Sequence, residues 1–133
     1  HIPFIINDNV AVALAVDSDG IHIGQDDQPV KRVRKIIGPH KIIGVSAHNL
    51  KEALAAKEDG ADYLGVGAMF NTSTKDDATA VSFTQLHEIT TKIGLPVVAI
   101  GGINQDNCLL LKGTKIDGIA VVSAIMSAPD IKD

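Results

Sequence analysis

The chain has 133 residues, 45% of them apolar and 3% aromatic, with no Trp, a formal net charge of −4 and a mean hydropathy of +0.18. That length makes one domain with room for a hydrophobic core, here of Val, Ile, Leu and Ala. The acidic balance without a Lys/Arg-rich patch argues against nucleic acid as the main partner, and no apolar run approaches the roughly 20 residues that cross a bilayer.

Six short, β-branched apolar runs follow one another along the chain. Most are near-continuous rather than alternating, the pattern of parallel strands covered on both faces. Residues 2–6 (IPFII) form the first, and lead into the cluster Asn7, Asp8, Asn9 ahead of a short apolar helix candidate, NVAVALAV. Residues 20–24 (GIHIG) form the second, followed by a helix over QPVKRVRKII with Pro29 in its first turn and Gly38 past its end. Residues 41–46 (KIIGVS) are the third, and the helix NLKEALAAKED after it starts from an Asn49 or His48 cap and stops at Gly60. Residues 62–67 (DYLGVG) are the fourth. The next interval, FNTSTKDDATAVSF from Phe70 to Phe83, is polar, Thr-rich and too long for an ordinary connection, so it reads as a functional loop. A helix over FTQLHEITTKI runs to Gly94, residues 96–102 (PVVAIGG) are the fifth strand, and QDNCLLLK is a helix ending at Gly113. Residues 118–125 (GIAVVSAI) are the sixth.

Repeated strand–helix units, with GADYLGV and KIDGIAV resembling each other, imply βαβ winding with right-handed crossovers. Such an array is either an open doubly wound sheet or part of a TIM (β/α)8 barrel. The short, even units favour the α/β barrel, as do polar residues after nearly every strand rather than at one crevice. His1 stands almost inside a strand, so the chain reads as a piece of something longer. The single Cys108 precludes an intramolecular disulfide; it fits a buried helix cysteine better than a catalytic thiol, and a reducing, cytoplasmic location is expected.

In a parallel barrel all strand ends converge on one rim, where chemistry is placed. Asn7 and Asp8 follow the first strand, Gln25, Asp26 and Asp27 the second, and Ser46 and His48 end the third. Thr72, Ser73, Thr74 and Lys75 follow the fourth, Gly101, Gly102 and Asn104 the fifth, and Ser123 the sixth. Asp8 and Asp27, from adjacent strands, suit Mg²⁺, which prefers one or two carboxylates plus water and substrate phosphate oxygens. The alternative is that each caps the helix behind it. GGINQDN and VVSAI read as an anion cradle, glycines admitting backbone N–H groups to a phosphate, or as a tight corner. Lys75 with Thr72 and Thr74 suits a polyphosphate gaining charge as it leaves, or is a solvated surface lysine. His48 reads as a cap before a base, His22 as a strand residue that packs or hydrogen-bonds, and His40 and His87 as surface residues.

The segments INDN, DGIHIGQDD, IIGVSAH, ADYLGVGAMFNTSTK, PVVAIGGI and GIAVVSAI resemble, in order and over essentially the whole chain, the signature segments of the thiamine-phosphate synthase (pyrophosphorylase) family. The resemblance implies a TIM barrel that joins a pyrimidine diphosphate, 4-amino-2-methyl-5-(diphosphomethyl)pyrimidine, to a thiazole phosphate, releasing pyrophosphate with Mg²⁺ present. It further implies Asp8 and Asp27 as the Mg²⁺ ligands, and Asn7, Ser46 and Lys75 as holding the pyrimidine diphosphate. Thr72, Ser73 and Thr74 match the thiazole-phosphate loop, and Gly102, Val122 and Ser123 its phosphate contacts. The implied chemistry is dissociative. Pyrophosphate departs, the thiazole nitrogen captures the pyrimidine-methyl cation, and no base is required.

Ala68 and Asn71 stand where the family often has proline. The first two strand–helix units and the final helix are expected to be missing from residues 1–133, and with them a cluster that grips the pyrimidine diphosphate. The fragment alone is therefore expected to be inactive, with two raw sheet edges. In fungi the family enzyme is fused to a hydroxyethylthiazole kinase, so the resemblance extends to such a fusion and to a homo-oligomer as partners. Two further readings stand beside the synthase: a thiazole tautomerase-like relative needing a proton-transfer residue and no metal, and a non-catalytic phosphate-binding module.

Overall fold

A computed structural model describes residues 1–71 and 80–132. Its backbone is a six-stranded sheet in the order β1-β2-β3-β4-β5-β6, every neighbouring pair parallel. The strands are β1 Ile5–Asn7, β2 Gly20–Ile23, β3 Ile42–Ala47, β4 Tyr63–Val66, β5 Val97–Ile100 and β6 Gly118–Ala120. Helices α1 Val10–Ala15, α2 Val30–Ile37, α3 Leu50–Asp59, α4 Phe83–Lys92 and α5 Ser123–Met126 alternate with them. Sequential order without a reversal point is the winding of a TIM barrel rather than of an open doubly wound sheet, and the six strands make part of one.

The period-2 geometry of strands divides the sheet's side chains between two faces. One face carries Ile21, Ile23, Ile43, Val45, Leu64, Val66, Val97 and Ala99, all buried. These pack with Val33, Ala53, Leu86, Ile89 and Ile93 of the helical layer in a single core cluster. Each buried Val, Leu or Ile contributes about 1.5–3 kcal/mol by leaving water, so this face holds the layers together. The other face carries Asn7, His22, Gly44, Ser46, Tyr63 and Gly65, and lines the barrel interior.

Local chemistry sets the helix starts. Asn9 caps α1 by accepting Val12 N–H, and Asn49 caps α3 by accepting Glu52 N–H. Ser82 and Gln85 form a reciprocal capping box on α4; each such cap is worth about 1 kcal/mol. A repeated device closes the lower end of the sheet. Asp19, Asp62 and Asp117 directly precede β2, β4 and β6, and their Oδ2 atoms accept the N–H groups of Phe4, Ile43 and Val97 at 2.7, 2.8 and 2.8 Å. In each case the donor immediately precedes the residue paired with the first residue of the following strand, so the device recurs in the same register at every second strand.

Three expected elements change. The helix expected over QDNCLLLK is a single 3₁₀ turn, Cys108–Leu111. Asn104 Oδ1 accepts the N–H groups of Asp106 and Asn107, while Asn107 Oδ1 accepts Asn104 N–H. The Asn104 bonds are those of a helix cap, but beyond them Leu110 N–H returns to Asn107 O and Lys112 N–H to Leu109 O, three residues back, so the chain tightens into a 3₁₀ turn, and Cys108 is half-buried in that turn rather than buried in a helix. The sixth strand ends at Ala120 instead of running to 125, because the chain leaves the ladder and turns into α5 at Ser123. The fifth ends at Ile100, where Gly101 and Gly102 adopt positive φ. No helix among the described residues is long and apolar enough to cross a membrane.

Candidate active site at the strand carboxyl ends

Asn7 ends β1, and Asp8 follows in the left-handed region at φ 59° while its N–H extends the ladder to His22 O at 2.7 Å. The Asp8 carboxylate accepts only Asn7 Nδ2, at 3.3 Å, among the described residues. Beyond β2, Asp27 Oδ2 accepts Gly24 N–H at 2.6 Å, holding its own loop closed. Neither acid caps a helix. Asn9 does that for α1, and α2 has Pro29 at its N-cap with no side-chain cap, so the capping alternative for Asp8 and Asp27 is set aside. His48 is likewise not the cap of α3; its Nδ1 and backbone N–H both meet Glu52 Oε2, at 2.8 and 2.7 Å.

Both carboxylates therefore stand exposed at the ends of neighbouring strands, each retaining oxygen lone pairs. Among the described residues no group of three or more His, Cys, Asp or Glu converges on one point. Two acids without nitrogen or sulfur donors form a poor cage for zinc. Each offers oxygen donors of the kind Mg²⁺ takes, a few protein carboxylates with the shell completed from water and phosphate.

Ser46 lies one residue from the end of β3. Its Oγ is 2.9 Å from His22 Nε2, and its carbonyl accepts Gln25 Nε2 at 2.7 Å, tying the β2 loop to the β3 rim. His22 Nδ1 is 2.8 Å from the Tyr63 hydroxyl, so His22 hydrogen-bonds inside the strand layer as expected. Its partners could not be named from sequence. The signal was in the glycines: Gly44 stands between His22 and Tyr63 in the strand register, and a Cβ there would collide with the Tyr63 ring. A mid-strand glycine marks just such a close approach.

After β5, Gly102 has φ 65°, and a Cβ on it would come within 2.5 Å of Asn71 O. Asn107 Nδ2 donates to the Gly102 carbonyl at 2.9 Å, fixing the turn. Gly102, Asn104, Ser123 and Ser127 line an open cavity of about 340 Å³ together with Asn71 and Ile103. Val122 stands at the N-cap of α5, half-exposed, and makes no side-chain cap to that turn. Glycine, amide and hydroxyl donors at one mouth, free of carboxylate, suit a phosphate. A second hollow, of about 430 Å³, lies by Asp17, His40 and Lys41, at the amino end of the strands where barrels keep stability rather than chemistry.

The structure thus brings Asn7, Asp8, Asp27, Ser46, Gly102, Val122 and Ser123 to the carboxyl-end rim of one sheet. Thr72, Ser73, Thr74 and Lys75 lie outside the described residues.

Residues 1–125 match the family model described as thiamine monophosphate synthase. The thiamine-phosphate synthase of Clostridium botulinum (strain Eklund 17B / Type B) is 58% identical over 132 residues, 99% of this chain and 62% of the relative. That of Clostridium tetani (strain Massachusetts / E88) is 57% identical, over 99% of this chain and 63% of the relative. Among solved structures, thiamine phosphate pyrophosphorylase from Pyrococcus furiosus superposes with a TM-score of 0.90 at 46% identity, covering 98% of this chain and 62% of the other. The chain therefore spans somewhat under two thirds of the length of these relatives.

Proposed function

The chain belongs to the thiamine monophosphate synthase family, and from that membership we propose that the complete protein is a transferase joining the pyrimidine diphosphate to 4-methyl-5-(2-phosphoethyl)thiazole. The products are thiamine phosphate and pyrophosphate. The observation that supports this most is the convergence of family-matched polar residues on one rim, with acids at β1 and β2 and phosphate-type donors at β5 and β6.

Breaking the bond between the pyrimidine methylene and the diphosphate oxygen leaves the electron pair on departing pyrophosphate. The thiazole nitrogen lone pair then forms the new C–N bond to the methylene cation, and no proton need move. Such a step asks for charge stabilisation and positioning rather than for a general base. Asp8 and Asp27 would hold Mg²⁺, which when bound offsets the charge that grows on the leaving group. Asn7 and Ser46 offer an amide and a hydroxyl to the diphosphate at the β1 and β3 ends. Gly102, Val122 and Ser123 would seat the thiazole phosphate in the cavity beyond β5, fixing the nucleophile on the opposite side of the mouth. Lys75, with Thr72, Ser73 and Thr74, is assigned to the substrate phosphates on the family resemblance alone. A soluble, cytoplasmic setting is consistent with these small charged substrates. Release of pyrophosphate by the full-length protein, requiring both substrates, tests the reading.

A further inference from the structure

We propose that Tyr63 and His22 are positioning residues that turn the Ser46 hydroxyl outward as a fixed hydrogen-bond donor to the diphosphate. This rests on the assignment of Ser46 as a diphosphate contact made above. The three groups form one chain across β4, β2 and β3: Tyr63 Oη to His22 Nδ1 at 2.8 Å, then His22 Nε2 to Ser46 Oγ at 2.9 Å. The sheet is built around it. Gly44 separates the two rings in the register and leaves room for Tyr63, while a Cβ at Gly65 would lie 3.0 Å from His22 Cε1. Two neighbouring strands thus forgo a side chain where the rings sit.

A neutral imidazole carries one N–H and one acceptor nitrogen, so the chain has two directions. If Nδ1 carried the proton, it would donate to Tyr63, and Ser46 would have to donate inward to Nε2. The Tyr63 O–H would then need another acceptor, yet His22 is the hydroxyl's one hydrogen-bond partner among the described residues. Tyr63 is the first residue of β4, deep in the strand layer and half-buried, where an unpaired O–H is costly. In the opposite direction Tyr63 donates to Nδ1, Nε2–H donates to Ser46 Oγ, and the leftover proton is the Ser46 O–H. Ser46 lies near the carboxyl end of β3, at the rim. The unpaired donor therefore falls where an anionic oxygen is to bind, and the inward lone pair of Ser46 is already occupied. The other direction would aim only serine lone pairs at that oxygen, which repels it.

Nitrogen NMR of isotope-labelled histidine in the full-length protein reads the direction without any substitution in the relay, the His22 signal being identified by its loss in His22→Gln. A protonated Nε2 with an acceptor Nδ1 is expected; a protonated Nδ1 overturns the proposal. Calorimetric titration with inorganic pyrophosphate then reads its consequence. Ser46→Ala and Tyr63→Phe should each weaken binding, the former by about tenfold, as for a lost hydrogen bond to a charged group. In the Ser46→Ala background Tyr63→Phe should have no further effect, because it acts through the serine. Additive losses, or wild-type protein that does not bind pyrophosphate, overturn the relay. Turnover is a separate question: a protein that shows the cycle but joins no substrates keeps the relay and loses the proposed reaction.

Discussion

Asp62 Oδ2 reaches back across a strand boundary to accept Ile43 N–H at 2.8 Å, and the same oxygen takes the Arg34 guanidinium at 2.7 Å. Arg34 also donates to the carbonyls of Gly38, Lys41 and Gly60, so one arginine and one aspartate join α2, β3 and the end of α3 at the amino end of the sheet. This cluster lies at the end of the sheet opposite the rim. Asp62→Ala should therefore lower the unfolding free energy by about 1–3 kcal/mol, since it strands a backbone donor and leaves the guanidinium only its three carbonyl partners. Asp117→Ala, which frees only Val97 N–H, should cost about 1–2 kcal/mol. Denaturant unfolding measures both, and pyrophosphate release per folded molecule should stay at the wild-type level. A large loss of activity with unchanged stability would contradict this division between the two ends.

At the other end, Asp27 Oδ2 closes a turn on Gly24 N–H while Oδ1 has no partner among the described residues. Asp27→Asn keeps an oxygen for that turn and removes the charge. It should leave the thermal midpoint within about 2 °C of wild type, a shift corresponding to well under 1 kcal/mol. Pyrophosphate release should fall at least about tenfold and require more Mg²⁺. Wild-type rates at ordinary Mg²⁺ would reduce Asp27 to a turn residue.

The expected strands were legible because parallel strands covered on both faces read as unbroken β-branched runs, and Ile43–Val45 and Leu64–Val66 lie where those runs fall. The sixth run misled for the same reason. AVVSAI is apolar apart from its serine, and composition does not distinguish a strand from a short helix turn beginning at Ser123. At the site, the rim could be read from polar residues recurring after strands. What could not be read was which alternative each acid served, because Asn9 stands beside Asp8 and is as good a cap. Nor could the Tyr63–His22–Ser46 chain, which depends on the register that sets Gly44 between two rings, be found in any local stretch.

Gly102 offers a direct probe of the phosphate corner. Gly102→Ala would hold alanine at φ 65° with its Cβ 2.5 Å from Asn71 O, a strain of about 1–3 kcal/mol. The turn should shift to relieve it. The expected outcome is a raised KM for the thiazole phosphate with little change in that for the pyrimidine diphosphate, read from initial rates with each substrate varied in turn. Equal effects on both would place the corner between the substrates rather than at one of them.

Burial raises the Tyr63 phenol above its ordinary value of 10.0. The folded state therefore holds that proton more tightly than the unfolded chain. Its contribution to stability is present in full below pH 10 and is lost as pH rises through the folded value. Across that alkaline window wild type should lose stability more steeply than Tyr63→Phe, which has no phenolic proton to lose. Parallel curves from denaturant unfolding at a series of alkaline pH values would show that the ring is solvated.

The most direct measurement is pyrophosphate release by the full-length protein with the pyrimidine diphosphate and the thiazole phosphate together, each alone, and with Mg²⁺ removed by chelation. Stoichiometric thiamine phosphate and pyrophosphate are expected only when both substrates and the metal are present. Turnover of the thiazole phosphate alone without metal, or binding of both substrates without release of pyrophosphate, would contradict that expectation.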